Sequence, residues 1–354
     1  MIPDTSIHPG ALTGPDRTLL AALATNGRAP WQALADLAGL STSTAQRRVA
    51  RLIDAGLVRI IGATDVVAAG FGITALVRIH CSADHIAEVQ RALTRRADVR
   101  FCASVTGTAA IVTDMAARSM ADLAAALAEL MATLPVTGTE TFPTTRTFTA
   151  PFTVFPQADP RTLEADTHAN APAPDASHGV PQLARHATGT ERAVLGAVVE
   201  DGRRPVTDIA AQTGLPESTV RRTIDDLITS GRLRIGPLVA PLALGLEVAL
   251  FVWLSVDPSR VRDAAARLAE TPGVHAAFAS LGRFNLVAQV FLPGIADVYS
   301  FSTERLGSIP GVRDLEVTVQ VHTTKRMWIG VTGGRFDAEL PARPTITTTP
   351  KENA

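Results

Sequence analysis

The chain has 354 residues, 46% apolar and 19% charged, which is an ordinary globular balance and long enough for two to four domains of about 100–200 residues each. A formal net charge of −1 excludes a wholly basic nucleic-acid coat but leaves room for local basic patches. Two cysteines, Cys81 and Cys102, exclude a disulfide framework, and their apolar surroundings read as buried thiols in a reducing compartment.

The first residues show neither a basic n-region nor an apolar signal core, and no apolar run reaches the roughly 18–20 residues of a bilayer span. The expected location is therefore the cytoplasm. Residues 1–15 read as an N-terminal arm. Residues 16–25 place Leu19, Leu20 and Leu23 at helical spacing and stop at Asn26-Gly27. A second short helix spans 31–38, with Leu34 and Leu37 inward, and ends at Gly39. Ser41 is a good N-cap for a third helix reaching about Ala55, closed by Gly56. Helix, short glycine turn, helix is the helix-turn-helix pattern.

At 100° per residue the third helix puts Ala45, Val49, Leu52 and Ile53 on one face. The opposite face carries Ser43, Arg47, Ala50 and Arg51, with Thr44, Gln46 and Arg48 on the flanks. Small hydroxyls near the helix start permit close approach to a duplex, and arginines with a glutamine supply base-edge and phosphate donors. The candidate DNA contacts are Ser43, Thr44, Gln46, Arg47, Arg48 and Arg51.

A wing-like segment follows over 57–67, then a strand at 73–80, a helix at 83–95, and strands at 99–105 and 109–114 around the Thr106-Gly107-Thr108 turn. A helix at 120–134 and a last strand at 139–148 complete the unit, with Pro143 implying an edge position or a bulge. Residues 156–189 are rich in Pro, Ala and small polar residues and read as a linker.

A shift of 175 residues then superposes 26–56 on 201–231 without gaps, aligning Gly27 with Gly202, Arg28 with Arg203, Gly39-Leu40 with Gly214-Leu215 and Gly56 with Gly231. The same offset carries Gly70 onto Gly245 and Gly107 onto Gly282, so the chain is a tandem duplication. Copy two repeats the strands and helices: strand 247–256, helix 258–270, strands 274–281 and 284–292, helix 294–307, strand 312–322. The order βαββαβ is ferredoxin-like. The fold class is α+β: two copies of a winged helix-turn-helix followed by a ferredoxin-like sandwich. The domain limits are 16–67 and 68–155 for copy one, 190–242 and 243–332 for copy two, with 333–354 expected to be a disordered tail.

The second recognition helix offers Ser218, Thr219, Arg221 and Arg222, but places Asp225 and Asp226 where copy one has Ala50 and Arg51. Residues 16–60 hold six arginines against three acids, whereas 191–235 hold seven against seven. Carboxylates facing phosphates are repelled, so copy one is expected to carry most of the DNA affinity.

The run NGR…LA…GLS-x-ST-xx-RR-V-x-RL, followed by Gly70 or Gly245 ahead of a βαββαβ module, resembles the Lrp/AsnC (feast/famine) transcriptional regulators. TPGV at 271–274, the Gly282-Arg283-Phe284-Asn285 turn and IPGV at 309–312 fit the same pattern. The resemblance implies sequence-specific DNA binding, self-association through the sandwich modules in even-numbered assemblies, and a small effector, an amino acid or related metabolite, near the turn between the middle strands. Copy two matches that turn with Gly282, Arg283, Phe284 and Asn285, the candidate ligand residues, while copy one has Gly107-Thr108-Ala109-Ala110. No cofactor or metal is implied.

Two further readings stay open. One is a ligand-sensing module without DNA binding. The other is a sirohaem-decarboxylase-like enzyme on the same fold, although His80, His85, His275 and His322 fall at no repeated offset and no Ser/His/Asp set, metal-spaced Cys/His cluster or phosphate loop is present.

Overall fold

A computed structural model describes residues 12–149, 152, 186–342 and 344–347. The helix-turn-helix of copy one consists of α1 (Gly14–Thr25), α2 (Trp31–Ala38) and α3 (Thr42–Asp54). α1 begins two residues ahead of the sequence expectation because Thr13 and Asp16 form a reciprocal capping box. Gly39 ends α2 in the left-handed conformation, and the Ser41 hydroxyl caps α3 by accepting from the Thr44 amide. β1 (Val58–Ala63) follows. Copy two repeats this with α6 (Gly189–Glu200), α7 (Val206–Thr213), α8 (Glu217–Thr229) and β6 (Arg234–Val239).

Neither wing folds back on its own domain. β1 pairs antiparallel with β6 from Val58↔Val239 to Ala63↔Arg234, so the two copies share one ribbon. The reason lies in burial: nearly every residue of both strands is covered, and the two helix-turn-helix cores merge into one cluster across this ribbon. The contacts are reciprocal. The Gly27 amide donates to the Ile235 carbonyl and the Gly202 amide to the Ile60 carbonyl, at 3.1 and 2.8 Å. Arg28 donates to the Gly202 and Arg204 carbonyls, and Arg203 to the Gly27 and Ala29 carbonyls, all at 2.8–2.9 Å. The duplicated Gly-Arg pairs thus form a pseudo-twofold interface.

The sandwich of copy one comprises β2 (Ile73–His80), α4 (Ile86–Arg95), β3 (Val99–Val105), β4 (Ile111–Ala117), α5 (Met120–Thr133) and β5 (Gly138–Thr147). That of copy two comprises β7 (Val248–Val256), α9 (Val261–Ala269), β8 (Val274–Ser280), β9 (Leu286–Leu292), α10 (Asp297–Ser300) and β10 (Val312–Arg326). The helix expected at 294–307 is only four α-helical residues followed by a π-helical turn at Phe301–Leu306. A two-residue turn leads from β10 to β11 (Ile329–Thr332), which pairs with β12 (Arg335–Phe336).

The last strand of each module divides its hydrogen bonds between the copies. β5 pairs with β2 through Pro143 and with β8 from Thr144. β10 pairs with β7 through Val319 and with β3 from Gln320. Eight strands thereby close into a ring in the order β10, β3, β4, β2, β5, β8, β9, β7 and back to β10. Pro143 is not at an edge: it marks the place where β5 leaves one copy for the other, beside a register irregularity between Thr144 and Arg146. The same division explains why β10 runs four residues past the expected end at 322.

The outer faces of the sheets carry the helices over separate cores, whereas the inner faces meet in a third, aromatic core. Phe101, Phe142, Phe251, Trp253 and Phe284 form edge and tilted ring pairs there, with centroids 5.3–6.2 Å apart. The Arg78 guanidinium lies over Trp253 and forks onto Glu316 of copy two at 2.5 and 3.1 Å.

The tail from 333 to 347 is, where described, a correction to the sequence expectation, and residues 348–354 lie outside the described residues. Phe336 is buried in the helix-turn-helix core, its amide donates to the Gly56 carbonyl at 2.8 Å, and Arg335 donates to the Ala55 carbonyl. Ile346 is also fully buried there, and its carbonyl, with that of Phe71, accepts from Arg192. Composition suggested disorder, but a few apolar residues in a polar tail suffice to pin it. Most of the expected linker, from 156 to 185, lies outside the described residues.

Candidate nucleic-acid interface

The two recognition helices, α3 and α8, are held by their inward faces: Ala45, Val49 and Leu52 in one, Val220, Thr223, Ile224, Leu227 and Ile228 in the other. On α3 the helical spacing leaves Ser43, Gln46, Arg47, Ala50 and Arg51 exposed. Neither Arg47 nor Gln46 has a side-chain hydrogen bond or ion pair among the described residues, so their donors are available to a partner. The exposed N-terminal turn also presents free amides with the positive end of the helix dipole, which suits a phosphate.

Arg48 and Arg51 behave differently from the sequence expectation. Arg48 donates to the buried Asp16 carboxylate at 3.1 Å and to the Thr13 hydroxyl at 3.3 Å, and Arg51 reaches the other Asp16 oxygen at 3.4 Å. Burial pushes the Asp16 carboxyl up, but hydrogen bonds from Thr13 and Arg48 outweigh it and hold it below the ordinary carboxylate range. Arg48 is therefore a strut between α1 and α3. Arg51, 61% exposed, can still turn one face of its guanidinium outward. Thr44 is also partly engaged, its hydroxyl 2.8 Å from that of the cap, Ser41.

On α8, Ser218, Arg221 and Arg222 are exposed and Thr219 is half-buried. Asp226 is exposed on the same helix, and Asp225 is half-buried. The helix begins at Pro216 with no side-chain cap, in contrast to Ser41. A capped face in copy one, with its exposed carboxylate Asp54 confined to the last residue, thus stands against an uncapped face in copy two that carries exposed Glu217 in its first turn and Asp226 further on.

The effector residues expected at 282–285 are largely occupied. Phe284 is fully buried in the aromatic core between the sheets, so it walls no surface pocket. The Asn285 amide bridges the backbone of Val256, accepting from its N–H and donating to its carbonyl, both at 2.8 Å. Gly282 turns the chain beside Phe142. Arg283 faces solvent, paired to Asp314 at 3.0 Å. These residues are local neighbours, but their chemistry mostly fastens the turn. In copy one the Thr106 hydroxyl accepts from the Val319 amide and Thr108 accepts from Arg78, so that turn also holds the copies together. The Gly-Arg interface was missed from sequence, although the exact repetition of Gly27-Arg28 as Gly202-Arg203 was a usable signal.

The model of the AsnC-type helix-turn-helix domain matches residues 13–53 and 189–228, and that of the Lrp/AsnC ligand binding domain matches 74–151 and 249–327. The chain belongs to the Lrp/AsnC family. It is a tandem helix-turn-helix transcriptional regulator of that family, with both modules present twice. A transcriptional regulator of Pyrococcus furiosus is 29% identical over 136 residues, which cover 38% of this chain and 92% of that protein. AldR of Mycobacterium tuberculosis is 30% identical over 140 residues, 38% of this chain and 78% of that one. Each relative matches little more than one copy. The crystal structure of the siroheme decarboxylase NirDL covers 92% of this chain and 96% of its own, with a TM-score of 0.61 at 13% identity, a likeness in fold alone. Among the described residues no helix is long and apolar enough to cross a membrane, and no cluster of metal-ligating side chains is found.

Proposed function

We propose that the chain binds duplex DNA as a covalently joined pseudo-dimer, reading sequence mainly through α3 of copy one and responding to a small metabolite held by its sandwich modules. The observation that carries this reading is the contrast between the helices: α3 is capped and has no acid in its first turn, its exposed Asp54 lying at the far end, whereas α8 is uncapped and carries exposed Glu217 and Asp226 beside its arginines. Sequence-specific recognition needs donors aimed at base edges on a rigid support. Asp16, through Arg48, supplies that support to α3. The reading favours a regulator over an enzyme because the relatives are named as transcriptional regulators and, among the described residues, the histidines are scattered and form no metal-ligating group.

The test is selection of binding sites from a random duplex library, followed by titration of the selected DNA. Arg47→Ala is expected to weaken binding by about 1–3 kcal/mol, roughly fivefold to 150-fold, and to relax specificity at one position. Arg222→Ala is expected to cost less. Equal losses would overturn the asymmetry, and a library without enrichment would overturn DNA reading itself.

A further inference from the structure

Buried cations in this protein reach oxygens. Arg78 grips Glu316, Arg192 donates to two carbonyls, and Lys325 donates to the Arg96 carbonyl at 2.6 Å. Arg326, at the end of β10, is 7% exposed yet has no side-chain hydrogen bond or ion pair among the described residues. Its guanidinium lies over the ring of Phe291 at 4.8 Å and beside Phe101 at 5.6 Å. Burial pulls its pKa down to about 10, which still leaves it charged at neutral pH. A buried charge normally has a counter-charge.

That guanidinium lines a half-open cavity of about 130 Å³ between the inner faces of the two copies. A cavity of roughly 150 Å³ holds a molecule of benzene size. Phe101, Phe251 and Phe278 supply flat apolar walls, and Gln289 and Thr147 add polar groups, the composition of a small-molecule site. The other charged side chains on the lining already have polar partners. Arg100 is paired with Asp114, whose carboxyl burial pushes up, and Asp65 accepts the Val67 and Ala68 amides at 3.0 Å. His275 is held neutral, its pKa lowered to about 3 by burial and by Arg326 nearby. Arg326 is the arginine on this lining that has no ion pair among the described residues.

A second, independent feature lies on the same wall. The turn after Arg326 is Met327-Trp328, with φ of +50° and +65°. A two-residue hairpin of this kind ordinarily uses Asn-Gly, and bulky residues there are strained. Met327 lines the cavity, and the Trp328 ring N–H donates to the Ala97 carbonyl.

We infer that this inter-copy cavity is a binding site for a small monocarboxylate with an aromatic or branched apolar body, its carboxylate paired with Arg326. This rests on the regulator reading and locates the effector site. Thr64 and Asp65, which continue from β1 of the shared ribbon, line the cavity, and Thr64 also donates to the Arg232 carbonyl at 2.7 Å. The ligand would therefore touch the joint between the DNA-reading half and the sheets.

The test needs no DNA, so a failure of DNA reading leaves it decisive. Full-length protein is titrated with benzoate, phenylacetate and 4-methylvalerate, and with benzamide and benzyl alcohol as neutral counterparts, by thermal shift and calorimetry. The acids are expected to raise Tm saturably by a few degrees at one site per chain, and the neutral compounds are not. Arg326→Met removes an uncompensated charge, so that variant should be at least as stable as the native chain without ligand. Its affinity for the acids should fall at least about tenfold. No shift with any acid, equal shifts with the neutral compounds, or unchanged affinity in Arg326→Met would each overturn the assignment.

Discussion

A Gly27→Val chain is expected to lose about 3 kcal/mol of stability, toward the upper end of what overpacking a tight contact costs. A side chain at Gly27 would collide with the Ile235 carbonyl, the acceptor of the Gly27 amide. The obstacle is the backbone of β6, which cannot step aside without breaking the ribbon shared with β1. Because that ribbon joins the two helix-turn-helix units, the variant should also lose most of its affinity for the selected DNA. Gly14→Ala is the control, since nothing lies within 4 Å of a Cβ there. Urea unfolding of the two variants checks the difference; a Gly27→Val chain as stable as the control would remove the Gly-Arg interface from the description.

Glu316→Leu is expected to cost about 2–3 kcal/mol. Breaking a fully buried pair costs about 3–5 kcal/mol because an uncompensated charge is left behind. The effect here is smaller because Glu316 is 28% exposed and Glu140 stands 4.0 Å from Arg78, ready to take over in part. Adding Arg78→Met should recover much of the loss, since replacing both partners removes the stranded charge. A double-mutant cycle by urea unfolding measures this coupling. A single variant within about 0.5 kcal/mol of the native chain would show that the inter-copy pair contributes little.

Local signals made much of this architecture readable. Gly39, Gly56, Gly214 and Gly231 sit at the ends of short amphipathic helices, and all four adopt positive φ. Alternating apolar residues marked the middle strands. What the sequence hid depends on distant partners. Nothing near Arg48 announces that Asp16, 32 residues earlier, captures it. The division of β5 and β10 between copies is a matter of long-range register, which a lone Pro143, reading as an edge or a bulge, does not announce. Asn285 looked like a ligand donor because its type is suitable, but Val256 uses it first. Arg326 was overlooked because one arginine in a strand end carries no pattern; only the closed ring of strands shows it buried without a counter-charge.

The most direct measurement of the central claim is a chemical footprint of the purified full-length chain on its selected duplex, with and without Arg47→Ala. Two adjacent major-groove contacts about one helical turn apart are expected, the sequence-dependent one vanishing in the Arg47→Ala chain while the other persists. Protection that follows no sequence, or a footprint unaltered by Arg47→Ala, would contradict a pseudo-dimer that reads DNA through copy one.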